Sequence, residues 1–383
     1  MTDKIQVLTP YFRVDETLEE IRECLERGWT GMGFKTEQIE AAWKEYTGLP
    51  HAHFLNSATA ALHIAVAMLK RKHGWADGDE IISSPLTFVS SNHAVLYENM
   101  AVRFADVDQH LCLDPVDVEA KINERTRAVM FVGLGGNTGQ LKGIADLCRR
   151  RGLQLILDAA HMSGSKLDGR DPGHLADVTC YSYQAVKNMP TADSGMICFQ
   201  DAELDAEARK FSWLGINKDT FARMQAGNYK WKYGVDYAGY KYNGNAVMAG
   251  MALVALKYLD EDNARRREIA AFYDRELGGL NSVERVPMGE GCTPSRHLYQ
   301  IMLDDRDGLL EHLNAADIFP GVHYRDNTEY EMYADGAGTC PRAQRASDRL
   351  ITLPIHLRLT DDHLRRVTDA VKAFVGERAS AAA

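Results

Sequence analysis

The 383-residue sequence predicts an α/β protein: a mainly parallel sheet covered by helices on both faces, followed by a smaller α+β domain. Three observations carry this. Short apolar, β-branched runs alternate with helical patterns from about residue 53 to residue 200. The alternation stops after Asp201. A long helical pattern rich in small residues then leads into a stretch that mixes strands and helices. The expected division is residues 1–250 for the large domain with its N-terminal helices, and 251–383 for a connecting helix and the small domain.

The elements follow in order. "TLEEIRECLERGW" is an amphipathic helix, with Leu18, Ile21 and Leu25 at helical spacing. "FKTEQIEAAWKEYTG" is a second, with Gly48 as its stop. "HFLN" is a strand. "SATAALHIAVAMLKRK" opens on small residues and becomes almost wholly apolar, which predicts a buried helix. "EIISSP" and "AVRFADVD" are strands on either side of the helix "TFVSSNHAVLYENM". "RAVMFVG" and "LQLILDAAH" flank the helix "LKGIADLCRRRG". "VTCYSY" and "GMICF" are the last two strands of the sheet. The polar segment between them is too short for a crossover helix, so it reads as a loop holding Lys187 beside the sheet. Asn245–Leu277 reads as one long helix. Beyond it lie the strand "RHLYQIML", the helices "RDGLLEHLNAADI" and "DDHLRRVTDAVKAFV", and a tail, "ERASAAA", expected to fray.

Composition is that of an ordinary globular chain, 45% hydrophobic and 26% charged, with a formal net charge of -10. No basic patch is present to neutralise a phosphate backbone, so no nucleic-acid partner is expected, whereas a small anion in a local positive pocket remains open. The seven cysteines are scattered, odd in number and without a CxxC pair, which predicts neither a disulfide framework nor a zinc site; no metal is expected. "MTDKIQVLTPYF" lacks the apolar core of a secretory signal, and no apolar run approaches the roughly 18 residues that span a bilayer. The expectation is a reducing, cytoplasmic protein with no membrane partner.

Open parallel sheets bind ligands at the carboxyl ends of their strands. After "HFLN" comes "SATAAL", a small-residue turn opening a helix, where a phosphate would meet free N–H groups and the hydroxyl of Ser57 or Thr59; an ordinary helix cap reads the same way. Asp158 ends an apolar strand, and His161 lies three residues on. Phe88 follows "EIISSP" and Lys187 follows "VTCYSY". "FVGLGGNTG" fails as a dinucleotide fingerprint, because Gly133 and Gly135 would need a glycine where Thr138 stands. A phosphate turn, an aromatic plate, a strand-end carboxylate and a loop amine are the parts pyridoxal 5′-phosphate (PLP) requires: an amine for its aldehyde, a carboxylate for its ring nitrogen, and amides and hydroxyls for its phosphate.

With these motifs in view, the sequence resembles the DegT/DnrJ/EryC1/StrS family of PLP-dependent sugar aminotransferases along nearly its whole length. "GWTGMGFKTEQIEAAWKEYTG", "NSATAALHIAV", "SSPLTFVSSNHAVLYENMAVRFADVD", "LILDAAHMSGSKLDGRDPGHLADVTCYSY" with "KN" and "SGM", "GYKYNGNAVMAGMAL", "SRHLYQI" and "GVHY" follow one another in the family's order. The resemblance implies an aspartate aminotransferase-like, fold-type I enzyme that is a homodimer with its active sites at the interface. It implies that Lys187 forms the Schiff base and shuttles the proton, and that Asp158 holds the ring nitrogen. Phe88 stacks on the ring and His161 lies near the ring oxygen. Ala58, standing where glycine is usual, binds the phosphate with Thr59 and Ser182. Asn243 reaches the phosphate of the neighbouring subunit, with Lys241 at the position some members use instead. His323 and Tyr324 contact substrate.

Two departures bear on the substrate. "FVGLGGNTGQ" replaces a strand followed by H-L-Y-G, and "VMAG" replaces Q-A-A. A related branch that removes a sugar hydroxyl has histidine at the lysine position, so Lys187 favours transamination. The expected reaction moves an amino group from L-glutamate to a nucleotide-linked keto-sugar. The alternatives are a keto-cyclitol aminated from glutamine, and a PLP-binding protein without turnover; retention of both Lys187 and Asp158 argues against the last.

Overall fold

The computed structural model describes residues 4–217 and 233–382. In chain order the first nine strands are β1 (Ile5–Gln6), β2 (His51–Leu55), β3 (Glu80–Ser83), β4 (Ala101–Phe104), β5 (Thr126–Val132), β6 (Gln154–Asp158), β7 (Lys166–Leu167), β8 (Val178–Ser182) and β9 (Gly195–Phe199). Seven of them form the central sheet, ordered β2-β9-β8-β6-β5-β3-β4. β9 alone runs against its neighbours, so the expected mainly parallel α/β sheet is present.

The strands are apolar on both faces because both faces are covered. Ile81, Ala128, Met130 and Ile156 pack into one core with α3 (Ala58–His73). Their strand neighbours Ile82, Val129, Phe131, Leu155 and Leu157 point the other way, into a core shared with Trp43 of α2 (Phe34–Thr47). α3 is buried continuously from Ala60 to Leu69, as its apolar sequence requires. Gly48 ends α2 in the left-handed region at φ 74°, a conformation glycine adopts without a steric cost.

The C-terminal domain has its own core, built from Ile269, Ile301, Leu313, Ile351, Val367 and Val371. It also takes in Ile5, because β1 pairs in parallel with Ile318–Phe319. The helices Arg306–Ala315 and Asp361–Ala382 flank the antiparallel pair Tyr299–Met302 and Leu350–Leu353, and the last helix continues through the tail expected to fray.

One expected element is divided. The long helix expected over Asn245–Leu277 is two, Ala246–Lys257 and Leu259–Leu277, separated at Tyr258 (φ −112°, ψ 4°). The break has a tertiary cause. The Tyr258 hydroxyl donates to Glu16 of α1 (Val14–Glu26) at 2.6 Å, and the Arg13 guanidinium lies 3.6 Å from its ring centroid. Arg13 in turn grips both carboxylate oxygens of Asp262. These contacts fix the second helix against the start of α1, and the local helical pattern contains no trace of them.

Candidate active site

β2, β3, β6 and β8 point the same way, so their carboxyl ends lie on one edge of the sheet, and a cavity of about 430 Å³ opens there. Of the residues singled out above, Ala58, Thr59, Phe88, Asp158, His161, Ser182, Lys187, His323 and Tyr324 line it. Asn243 does not line this cavity. Its side chain donates to the Gly244 carbonyl at 2.9 Å and accepts from Lys241 at 3.1 Å, on the strip that bridges to Leu55.

The start of α3 forms the polar end. Ser57 takes the capping role: its Oγ accepts from the Ala60 N–H at 3.1 Å and its carbonyl from Ala61 at 3.2 Å. Helix geometry leaves the N–H groups of Ala58 and Thr59 without an intrahelical acceptor, on the cavity wall at the positive end of the helix dipole. The Thr59 hydroxyl donates to Ser90 at 3.0 Å, and Ser182 stands at the adjacent strand end.

Asp158 terminates β6 and is only 5% exposed. Its Oδ2 accepts from the Ser91 hydroxyl at 2.7 Å and its Oδ1 from the Ala160 N–H at 3.0 Å. Burial raises its pKa, opposed by those two hydrogen bonds and by the charge of Lys187. No cationic side chain forms an ion pair with it among the described residues. A buried carboxylate in that position favours a cationic ligand group.

Lys187 is held by the loop that reverses the chain from β8 to β9. The residue is half-buried, yet the surrounding protein desolvates its ammonium and lowers its pKa from 10.5 to about 8, against the pull of Asp158. Its Nζ lies 3.4 Å from Nε2 of His297. His161 accepts from the Gly135 N–H on Nδ1 at 3.2 Å, which leaves Nε2 to donate to the Tyr324 hydroxyl, also at 3.2 Å. Burial holds this imidazole neutral, with a pKa well below 6.5. The Phe88 ring, 57% exposed, lies at the mouth with the Tyr324 ring 5.9 Å away, and His323 hydrogen-bonds Thr352 at 3.0 Å.

These residues fit PLP. A helix start with free N–H groups, an exposed ring face, a carboxylate without a cation and an amine whose pKa burial lowers to about 8 converge on one cavity of suitable size. The glycine-rich departure has a structural counterpart. A Cβ on Gly133 would lie 2.0 Å from Sδ of the buried Met162, so Met162 occupies the space of the missing side chain. Two residues of the site escaped the reading of strand ends: His297 and the Asn188 that holds it. They stand in "SRHLYQI" and in the "KN" pair, where only the family pattern draws attention to them.

The sequence matches the DegT/DnrJ/EryC1/StrS aminotransferase family over residues 13–372. It is 31% identical to the dTDP-4-dehydro-2,3,6-trideoxy-D-glucose 4-aminotransferase of Saccharopolyspora spinosa over 95% of this chain and 96% of that protein. The crystal structure of the aminotransferase TlmJ from Streptoalloteichus hindustanus superposes with a TM-score of 0.90 at 31% identity, covering 98% of this chain and 100% of that one. The PLP form of the sugar aminotransferase Spr1654 from Streptococcus pneumoniae matches at 25% identity and a TM-score of 0.89, over 98% of this chain and 99% of that one.

Proposed function

This chain belongs to the DegT/DnrJ/EryC1/StrS aminotransferase family, and from that premise we propose that it transfers the amino group of L-glutamate to a keto-sugar carried on a nucleotide, using PLP. The observation that carries the reading is the pairing of a desolvated amine, Lys187, with a buried carboxylate, Asp158, in one cavity. When bound, PLP supplies an aldehyde that captures amines and a protonated ring that draws electrons from the carbon losing its proton.

The chain supplies the rest. Asp158 keeps the proton on the ring nitrogen. Lys187 Nζ, when neutral, would take the proton from the donor's α-carbon and pass it to the cofactor's carbon, and would run the transfer in reverse in the second half of the cycle, a task that suits a pKa of about 8. The start of α3, with Thr59 and Ser182, holds the phosphate. Phe88 covers one face of the ring, and the neutral His161 donates a hydrogen bond near the ring oxygen. His323 and Tyr324 border the keto-sugar. The seven free cysteines support a reducing, cytoplasmic setting. No helix among the described residues is long and apolar enough to cross a membrane.

The test is direct. Borohydride reduction of the yellow holoenzyme should fix the cofactor to the peptide containing Lys187; a label on another lysine would remove the central assignment. Steady-state turnover with L-glutamate and then with glutamine, against nucleotide keto-sugars and keto-cyclitols, decides between the proposed reaction and amination of a cyclitol.

The dimer is part of the proposal, with Asn243 serving the phosphate in the second subunit's site. Lys187→Ala and Asn243→Asp homodimers should both be nearly dead, the second because its new charge repels the phosphate. In a mixed dimer one site carries both changes and the other neither. Subunit exchange should therefore restore up to about half the activity per dimer. Two dead variants that exchange subunits without recovery would separate the two residues, and a harmless Asn243→Asp would pass the phosphate contact to Lys241.

A further inference from the structure

His297 is 1% exposed and sits on the segment entering the strand Tyr299–Met302, 110 residues from the lysine it touches. A chain of side-chain hydrogen bonds fixes its orientation. Asn263 Nδ2 donates to the Ser163 carbonyl at 2.9 Å, leaving its Oδ1 to accept from Asn188 Nδ2 at 2.6 Å. Asn188 Nδ2 also donates to the Ser295 carbonyl at 2.9 Å. Both backbone carbonyls can only accept, so the polarity of the chain is fixed from its ends. Asn188 Oδ1 then faces His297 Nδ1 at 3.1 Å, and that nitrogen must carry the proton. The Nε2 lone pair is left pointing at Lys187 Nζ. Burial keeps the ring neutral, its pKa pushed well below 6.5, and Lys187, the His161 ring at 4.4 Å, Arg266 and His323 act in the same direction.

We propose that His297 is a positioning residue for Lys187: its Nε2 accepts an N–H of the lysine amine whenever that amine is not bonded to the cofactor, and keeps it from pairing with Asp158. The inference rests on the proposed roles of Lys187 and Asp158. An amine free to swing would be drawn to the buried carboxylate. That pair would hold the lysine protonated and occupy the oxygen needed by the ring nitrogen, disabling both groups at once. A fixed neutral acceptor for the amine prevents this without adding a charge.

The two ring nitrogens can be tested separately. His297→Asn keeps an N–H donor for Asn188 but is too short to reach Lys187. His297→Gln extends an amide oxygen to the position of Nε2 and gives up the bond to Asn188. The first readout needs no cofactor: the pH dependence of Lys187 acetylation by trace acetic anhydride in the stripped protein, read by mass spectrometry. The wild-type midpoint is expected at about 8. Without the acceptor the amine pairs with Asp158, and a carboxylate favours the charged form more than a neutral nitrogen does, so in His297→Asn the midpoint should rise by about one pH unit, with the acid limb of kcat following it and the plateau about tenfold lower. His297→Gln should keep the wild-type midpoint and most of kcat. A merely structural histidine gives the reverse order, with the asparagine variant near wild type and the glutamine variant impaired, and that result overturns the proposal. If the asparagine variant fails to fold, His297→Phe carries the same expectation of a raised midpoint against the glutamine variant, and an unmoved midpoint overturns it. Borohydride labelling of a lysine other than Lys187 would remove the underlying reading instead, a failure distinct from either outcome.

Discussion

Lys187→Met is expected to reduce turnover by about ten-thousandfold while making the cofactor-free protein more stable at neutral pH. The loss follows from removing the amine proposed to take and return the proton, a role worth up to about 10⁴ in rate. The gain follows from the desolvation of the same group. Its pKa is lowered from 10.5 unfolded to about 8 folded, so the folded state binds the proton less well. The resulting destabilisation is at most about 3 kcal/mol, present in full below pH 8. As pH rises from 8 to 10.5 the unfolded chain still holds its proton while the folded one has lost it, so wild-type stability climbs and the advantage of methionine disappears. Thermal unfolding of both stripped proteins across this range measures the effect. A variant that is dead but gains nothing at neutral pH would mean that the ammonium is well solvated in the folded protein. Conflict between local stability and reactivity is expected of a catalytic group placed in a cavity by the fold.

Much of this was legible in the sequence because its cause is local. β5 and β6 are apolar at successive positions, and the structure covers both of their faces. Where such strands are parallel, residues just past their ends must share an edge, and this is why Thr59, Phe88, Asp158 and Lys187 could be grouped from the sequence, whereas Ser182 came only with the family resemblance. Ser57 was ambiguous between cap and ligand, since both uses need a hydroxyl in the same turn; only the short contact to Ala60 assigns it the cap. The two features that escaped depend on distant partners. The helix break at Tyr258 is imposed by Arg13 and Glu16, while the helical pattern runs through it undisturbed. His297 acquires its role from Lys187, Asn188 and Asn263, residues joined by the fold and by no spacing rule.

Asp158→Asn is expected to keep the fold and bind cofactor, and to lose roughly a hundredfold or more in turnover. The substitution is close to isosteric and both existing contacts survive it. The amide oxygen can accept from Ala160, and the new amide can donate to the Ser91 hydroxyl, which simply reverses its role. It also removes a carboxylate whose ionisation burial opposes, so the melting temperature of the stripped protein at neutral pH should not fall. What the amide cannot do is hold a proton on the ring nitrogen, because it carries no negative charge to balance the cation. The lost stabilisation is made mainly as the α-carbon gives up its proton, so kcat should suffer more than KM. Ser91→Ala provides the graded comparison. It withdraws one hydrogen bond from the same carboxylate, which raises the carboxyl pKa further but leaves the charge in place, and should cost about tenfold or less. The measurements are cofactor retention by absorbance, melting temperature, and single-turnover rates for the three proteins side by side. Near-native turnover in Asp158→Asn, with cofactor bound, would reduce Asp158 to a carboxylate that only orders the turn after β6. A collapse in melting temperature would show that the charge is balanced by the fold itself and not reserved for a ligand.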